Sequence, residues 1–164
     1  KDKSGQINGG IMENKMKSIE KKDRSADLIQ ALLDVWEKSV RATHLFLSDS
    51  EILNIKEYVP QALFGVQNLI IAENDNGKPV AFMGIEDHSL EMLFISPEER
   101  GKGLGKALIL YGIEHYEVER LAVNEQNPGA KGFYEHMGFQ VYKRTENDEQ
   151  GNPYPLLYMQ RKNG

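Results

Sequence analysis

Gly101, Gly103 and Gly105 stand at every second position, with Arg100, Lys102 and Lys106 set among them. Glycine has no side chain to block a ligand, so such a loop can wrap its amides around an anion, and a helix starting there adds partial positive charge. The spacing matches neither common nucleotide loop. A dinucleotide fingerprint counted from Gly101 or Gly103 needs its third glycine at Lys106 or Leu108; a P-loop ending in Gly105-Lys106 needs glycine at Arg100 and Ser or Thr at Ala107. The chain has no cysteine, which excludes disulfides, thiolate metal sites and a protein thiol nucleophile, so any sulfur chemistry comes from a ligand. No metal is expected.

The elements that must position this loop can be read in order. The chain opens on Lys, and residues 1–15 read as a disordered or expression-derived extension ahead of a single domain over 16–164. A short strand is expected within 16–22. Leu28, Ala31, Leu32, Val35, Trp36 and Val40 recur at helical spacing from Ser25 and predict an amphipathic helix ending near Thr43 and His44. Ser48 and Glu51 have capping-box spacing and open a second helix, which Pro60 interrupts. Residues 69–72 and 80–85, separated by Asn74-Asp75-Asn76-Gly77, predict an antiparallel hairpin. Residues 90–95 form the strand that feeds the glycine loop, a helix follows over 105–117, and residues 121–123 form a short strand. Asn127-Pro128 opens another helix, Gly138 marks its left-handed stop, and two late strands lie at 139–143 and 154–160.

Two ordered blocks carry a resemblance. Arg100-x-x-Gly103-x-Gly105 follows a strand and precedes a helix, and Asn127-x-x-Ala130-x-x-Phe133-Tyr134-Glu135-x-x-Gly138-Phe139 lies about one helix and one strand downstream. Together they resemble the GNAT superfamily of acyl-coenzyme A-dependent N-acyltransferases. The resemblance implies a mixed α/β fold, with a central, mostly antiparallel sheet of about six to seven strands and helices on both faces. It implies acetyl-coenzyme A as co-substrate. The pyrophosphate would rest on the amides of Arg100, Gly101, Lys102, Gly103, Leu104 and Gly105, with Arg100, Lys102 or Lys106 as charge partners. The pantetheine arm would pair with Leu93, Phe94 and Ile95, an edge opened by parting from residues 121–123. Asn127 would cap its helix, bind the cofactor, or do both.

Transfer to an amine needs a neutral nucleophile, whereas an alkyl amine has a pKa of about 10 and is mostly protonated near neutrality. Glu91, two residues from Leu93 and so on its face of the strand, is the first choice of base; Glu86, Asp87 and His88 are rivals, and His44 is a further one at a helix end. The superfamily pattern puts a tyrosine at Tyr134, a feasible acid for the departing thiolate. Direct transfer without an acyl-enzyme agrees with the missing cysteine. The alternatives are a non-catalytic acyl-coenzyme A sensor and a phosphate or nucleotide binder that uses only the loop. The resemblance places residues 40–64 and 154–158 beside the acceptor, a small-molecule amine or a protein lysine. A net charge of -5 argues against nucleic acid as the main partner. No apolar run approaches the roughly 20 residues that span a bilayer, so a cytoplasmic protein without a membrane partner is expected. A homodimer is compatible with all of this.

Overall fold

The computed structural model describes residues 15–162, and apart from Lys15 the expected N-terminal extension lies outside the described residues. Strand β1 is short, Met16–Ser18, and a 3-10 turn at Lys21–Asp23 takes the rest of the expected strand. Helix α1, Ala26–Thr43, starts where Ser25 Oγ accepts from the Leu28 amide at 3.2 Å, and it buries Ile29, Leu32, Leu33, Trp36 and Val40 on one side. Helix α2, Asp49–Lys56, has the full capping box between Ser48 and Glu51. The pattern does not simply stop at Pro60. A separate helix α3, Val59–Gly65, carries Pro60 in its first turn, where the missing amide hydrogen has no intrahelical acceptor to lose.

Strands β2 (Asn68–Glu73) and β3 (Pro79–Glu86) form the expected hairpin, and Asn74 Oδ1 closes its turn by accepting from the amides of Asn76 and Lys78 at 2.9 and 3.0 Å. Then come β4 (Ser89–Ile95), α4 (Leu104–Tyr116), β5 (Arg120–Asn124), α5 (Pro128–His136), β6 (Phe139–Thr145) and β7 (Leu156–Arg161). The seven strands make one sheet in the order β1-β2-β3-β4-β5-β7-β6. Every neighbouring pair is antiparallel except β4 and β5, and the expected mixed α/β architecture is the one observed.

Side-chain alternation along the central strands fills two cores. Ala81, Met83 and Ile85 point to the side covered by α4 and α5, and Phe82 points to the side covered by α1, α2 and α3. One residue breaks the alternation. Gly84 pairs with Met92 while Ile85 pairs with Leu90, so Glu91 is an extra residue in β4, a β-bulge. A bulge bends its strand and sharpens the local twist. The parallel contact of β4 with β5 is confined to Ser89–Arg120 and Leu90–Leu121, after which the strands part.

Arg24 ties the α1–α3 layer to the sheet. Only 4% exposed, it donates from Nη1 to the carbonyls of Leu63, Phe64 and Val66 at 3.1, 3.0 and 2.6 Å, and from Nε to Ile19 O at 3.1 Å. The last carbonyls of a helix have no intrahelical donor, and the guanidinium supplies one to the end of α3. Arg24→Ala should lower unfolding stability by about 2–4 kcal/mol, because several buried carbonyls lose their donor at once. Urea denaturation checks this; an unchanged midpoint would remove the structural role assigned to Arg24.

Candidate active site

Past Ile95 the chain makes a 3-10 turn at Pro97–Glu99 and enters the glycine loop. Gly101 and Gly103 have φ of 78° and 82°, the left-handed region, and Gly103 is the N-cap of α4. The first amides of α4 have no intrahelical acceptor and are free to bind an anion. At Gly105 the requirement is space. A Cβ there would lie 3.0 Å from Ile95 Cδ1 and 3.6 Å from Phe133 Cζ, so glycine lets the start of α4 press onto the end of β4.

The loop, the end of β4 and the start of α5 enclose a cleft of about 420 Å³. Leu93, Phe94, Ile95, Arg100, Gly101, Gly103, Leu104, Gly105, Lys106 and Asn127 all line it. Lys102 is the exception. Its ammonium turns to Glu99 at 3.6 Å, and its side chain stands largely in solvent. Asn127 lines the cleft and caps α5, its Oδ1 accepting from the Ala130 amide at 3.4 Å. A glycine cradle with Arg100 and Lys106 beside it suits a pyrophosphate. The edge of β4 beyond Leu90, unpaired on the β5 side, suits an arm that carries amides.

Where β4 and β5 part, a wedge of about 220 Å³ opens, sharing Tyr134 and His44 with the first cleft. Tyr134 is 7% exposed and packs edge-on against Phe133 and Phe139 at 5.0 and 5.9 Å between ring centroids. Burial pushes its phenol well above the usual tyrosine value and keeps it protonated. His44 ends α1, with its ring 5.5 Å from that of Phe46. Phe46 in turn stands 5.9 Å from Tyr154, whose hydroxyl donates to the Glu51 carboxylate. That contact pushes the Tyr154 phenol up to about 12 and joins the β6–β7 loop to the capping box of α2.

Glu91 lines the wedge and also a third, open cleft of about 550 Å³ on the far side of the strands. The bulge removes the reason for setting it on the face of Leu93. Leu90 and Leu93 pack with the α4–α5 core and Met92 with the other, and Glu91 is the residue skipped between them. Two of the rival bases are engaged elsewhere: the Glu86 carboxylate accepts from the Gln67 amide at 2.8 Å, and His88 Nδ1 lies 3.1 Å from Glu117 O. None of the three lines these clefts. The open cleft adds Asp148 and Glu149 from the β6–β7 loop and the rings of Trp36, Tyr58 and Tyr158. No local signal in the sequence marks Asp148 and Glu149 as lining a cleft.

Residues 66–141 match the family model of the Acetyltransferase (GNAT) domain. Over 128 residues the chain is 41% identical to the peptidyl-lysine N-acetyltransferase YjaB of Salmonella typhimurium, covering 78% of this chain and 88% of that one. This chain belongs to the GNAT acetyltransferase family. The protein of the same name from Escherichia coli is 38% identical over 128 residues, 78% of this chain and 86% of that one. The solution structure of apo-form YjaB from Escherichia coli superposes with a TM-score of 0.78 at 33% identity, over 91% of this chain and 97% of that one. The fold is shared more widely. A PaiA N-acetyltransferase of Thermoplasma acidophilum, in complex with coenzyme A, gives a TM-score of 0.66 at 19% identity over 90% of this chain and 99% of that one. As a GNAT member, this chain is an acetyl-coenzyme A-dependent N-acetyltransferase and not a non-catalytic sensor. Among the described residues there is no cluster of His, Asp and Glu able to hold a metal, and no helix long and apolar enough to cross a membrane.

Arg100 and Lys102 are two residues apart, yet only Arg100 lines the anion cleft. Arg100→Ala should weaken binding of coenzyme A about 5–20-fold, the range for a partly solvated charge-assisted contact, whereas Lys102→Ala should stay within about twofold. Calorimetric titration checks the pair. Equal losses from both would mean that the loop holds its ligand in another way.

Proposed function

We propose that this chain acetylates the ε-amino group of lysine side chains in proteins, acting in the cytoplasm as a single acyltransferase domain over residues 16–164. The observation that carries the lysine reading is the open cleft. Glu91 and Glu149 give it carboxylates for an alkylammonium, the Tyr58 and Tyr158 rings give it apolar faces for a butyl chain, and its volume of about 550 Å³ leaves room for a peptide backbone. The lysine acceptor in the names of the two YjaB relatives supports the same reading.

Acetyl-coenzyme A supplies an activated acyl group whose sulfur is a good leaving group. Everything else falls to residues of this chain. The amides of the glycine loop, with Arg100 and Lys106, hold the phosphates, and the free edge of β4 aligns the arm so that its end reaches the wedge. An amide of β4 near Leu93 steadies the charge that gathers on the carbonyl oxygen. Tyr134, a neutral phenol at pH 7, donates its phenolic proton to the leaving sulfur. Glu91, at the junction of the wedge and the open cleft, draws the ammonium inward and passes its first proton toward solvent through water.

Incubation with acetyl-coenzyme A and a panel of lysine peptides should give ε-acetyllysine by mass spectrometry. Tyr134→Phe should lower kcat about 100-fold with little change in KM for either substrate, the size expected for loss of a positioned acid. Acetylation of small amines with no peptide product would overturn the lysine reading, and an unchanged kcat would remove Tyr134 as the acid.

A further inference from the structure

An alkylammonium that becomes an amide loses two protons from the same nitrogen, one before attack and one as the new bond forms. Glu91, exposed at the mouth, answers for the first. We propose that His44 is the base for the second, its Nε2 accepting the proton from the attacking nitrogen inside the wedge, across from Tyr134. This rests on the amine-acetylation reading above and adds a residue to it.

Position comes first. His44 lies at the end of α1, in a different layer from Tyr134 on α5, yet both residues line the cofactor cleft and the wedge. His44 therefore faces the place where an acyl group held along β4 would meet an amine arriving past Glu91.

The second observation is the tautomer. Thr43 Oγ1 donates its only hydrogen to the Ser39 carbonyl at 2.8 Å, and the same oxygen lies 2.8 Å from His44 Nδ1. Both contacts are satisfied at once when the hydroxyl donates to the carbonyl and Nδ1 donates to the hydroxyl oxygen, the tautomer with the proton on Nδ1. In the neutral ring Nε2 then holds the lone pair. The Phe46 ring restrains the imidazole from one side. A base with its second nitrogen hydrogen-bonded and its ring packed is oriented before substrate arrives.

Neutrality follows from the surroundings. Burial, with a smaller contribution from Arg100, holds the His44 imidazole below its ordinary value, so it is unprotonated at neutral pH. The charged groups that line the clefts with it are Arg100, Lys106 and Glu99 in the cofactor cleft and Glu91 in the wedge, and the neutral phenol of Tyr134 lines both. The step balances as follows. The nitrogen lone pair forms the N–C bond, the C–S bond breaks with its pair on sulfur, the N–H proton goes to His44 Nε2, and the Tyr134 proton goes to sulfur. Afterwards His44 releases its proton to water and Tyr134 regains one.

Nitrogen-15 NMR of the ligand-free protein at pH 7.5 should find Nδ1 protonated and Nε2 bare at His44, and Thr43→Val should weaken that preference. His44→Gln should lower kcat about 100-fold with KM for both substrates within about twofold, and the acidic limb of the kcat profile should disappear. His44 also closes α1, so a cavity variant separates chemistry from structure: in folded His44→Ala, added imidazole should restore turnover in proportion to the free-base concentration. An Nε2-protonated ring in the wild type, wild-type kcat in His44→Gln, or no rescue of folded His44→Ala would each overturn the proposal. A wild-type enzyme active only on small amines overturns the lysine assignment alone, because the His44 comparison is then made on those amines with the same expected losses.

Discussion

The contact between β4 and β5 lasts for two residue pairs, and the functional architecture depends on its ending there. Two parallel strands need a crossover, which α4 supplies, so the helix whose N-terminus faces the anion cleft is also the link that sets the strands side by side. Glu91, the extra residue in β4, bends the strand just where pairing stops. The consequence is a sheet that is continuous at one end and split at the other. Backbone groups that would have been spent on a neighbouring strand are left for a ligand, and the gap between the strands becomes a passage between two clefts.

Charge is divided across that passage. Arg100 and Lys106 stand on one side with the helix N-terminus, and Glu91, Asp148 and Glu149 stand on the other. A chain with a net charge of -5 can thus hold a polyanion on one face and a cation on the opposite one, because both attractions act over a few ångströms and are screened beyond about 8–10 Å. Tyr134 and His44, which line both the anion cleft and the wedge, are neutral at pH 7, the phenol because its pKa lies well above neutrality and the imidazole because burial lowers its own. Neutral groups in a poorly solvated gap suit proton transfer, since neither adds a fixed charge that the reacting centre must accommodate.

The outer layer is held with equal economy of contact. Arg24 joins the end of α3 to Ile19, just past β1, and Tyr154 joins the β6–β7 loop to Glu51 at the cap of α2. Both connections span long stretches of sequence. The α1–α3 layer is thereby fixed against the sheet through polar contacts as well as through the core around Leu32, Trp36 and Phe82.

What the sequence by itself determined is local. Ser25, the Ser48–Glu51 box, the Asn74 turn and Gly103 fix where elements begin and end, because each acts on backbone groups within a few residues of itself. The anion loop was legible for the same reason, as was its neighbour Asn127. Tertiary structure decided the rest. Lys102 leaves the cleft because Glu99 is within reach, Pro60 begins a helix because α3 finds Arg24 to cap it, and the setting of Glu91 follows from the pairing partner of Ile85 rather than from counting along β4. His44 and Tyr134 are ninety positions apart in the chain and share a wedge only because one sheet parts between the layers that carry them. Pairing register and burial are properties of distant partners, and no spacing within the chain encodes them.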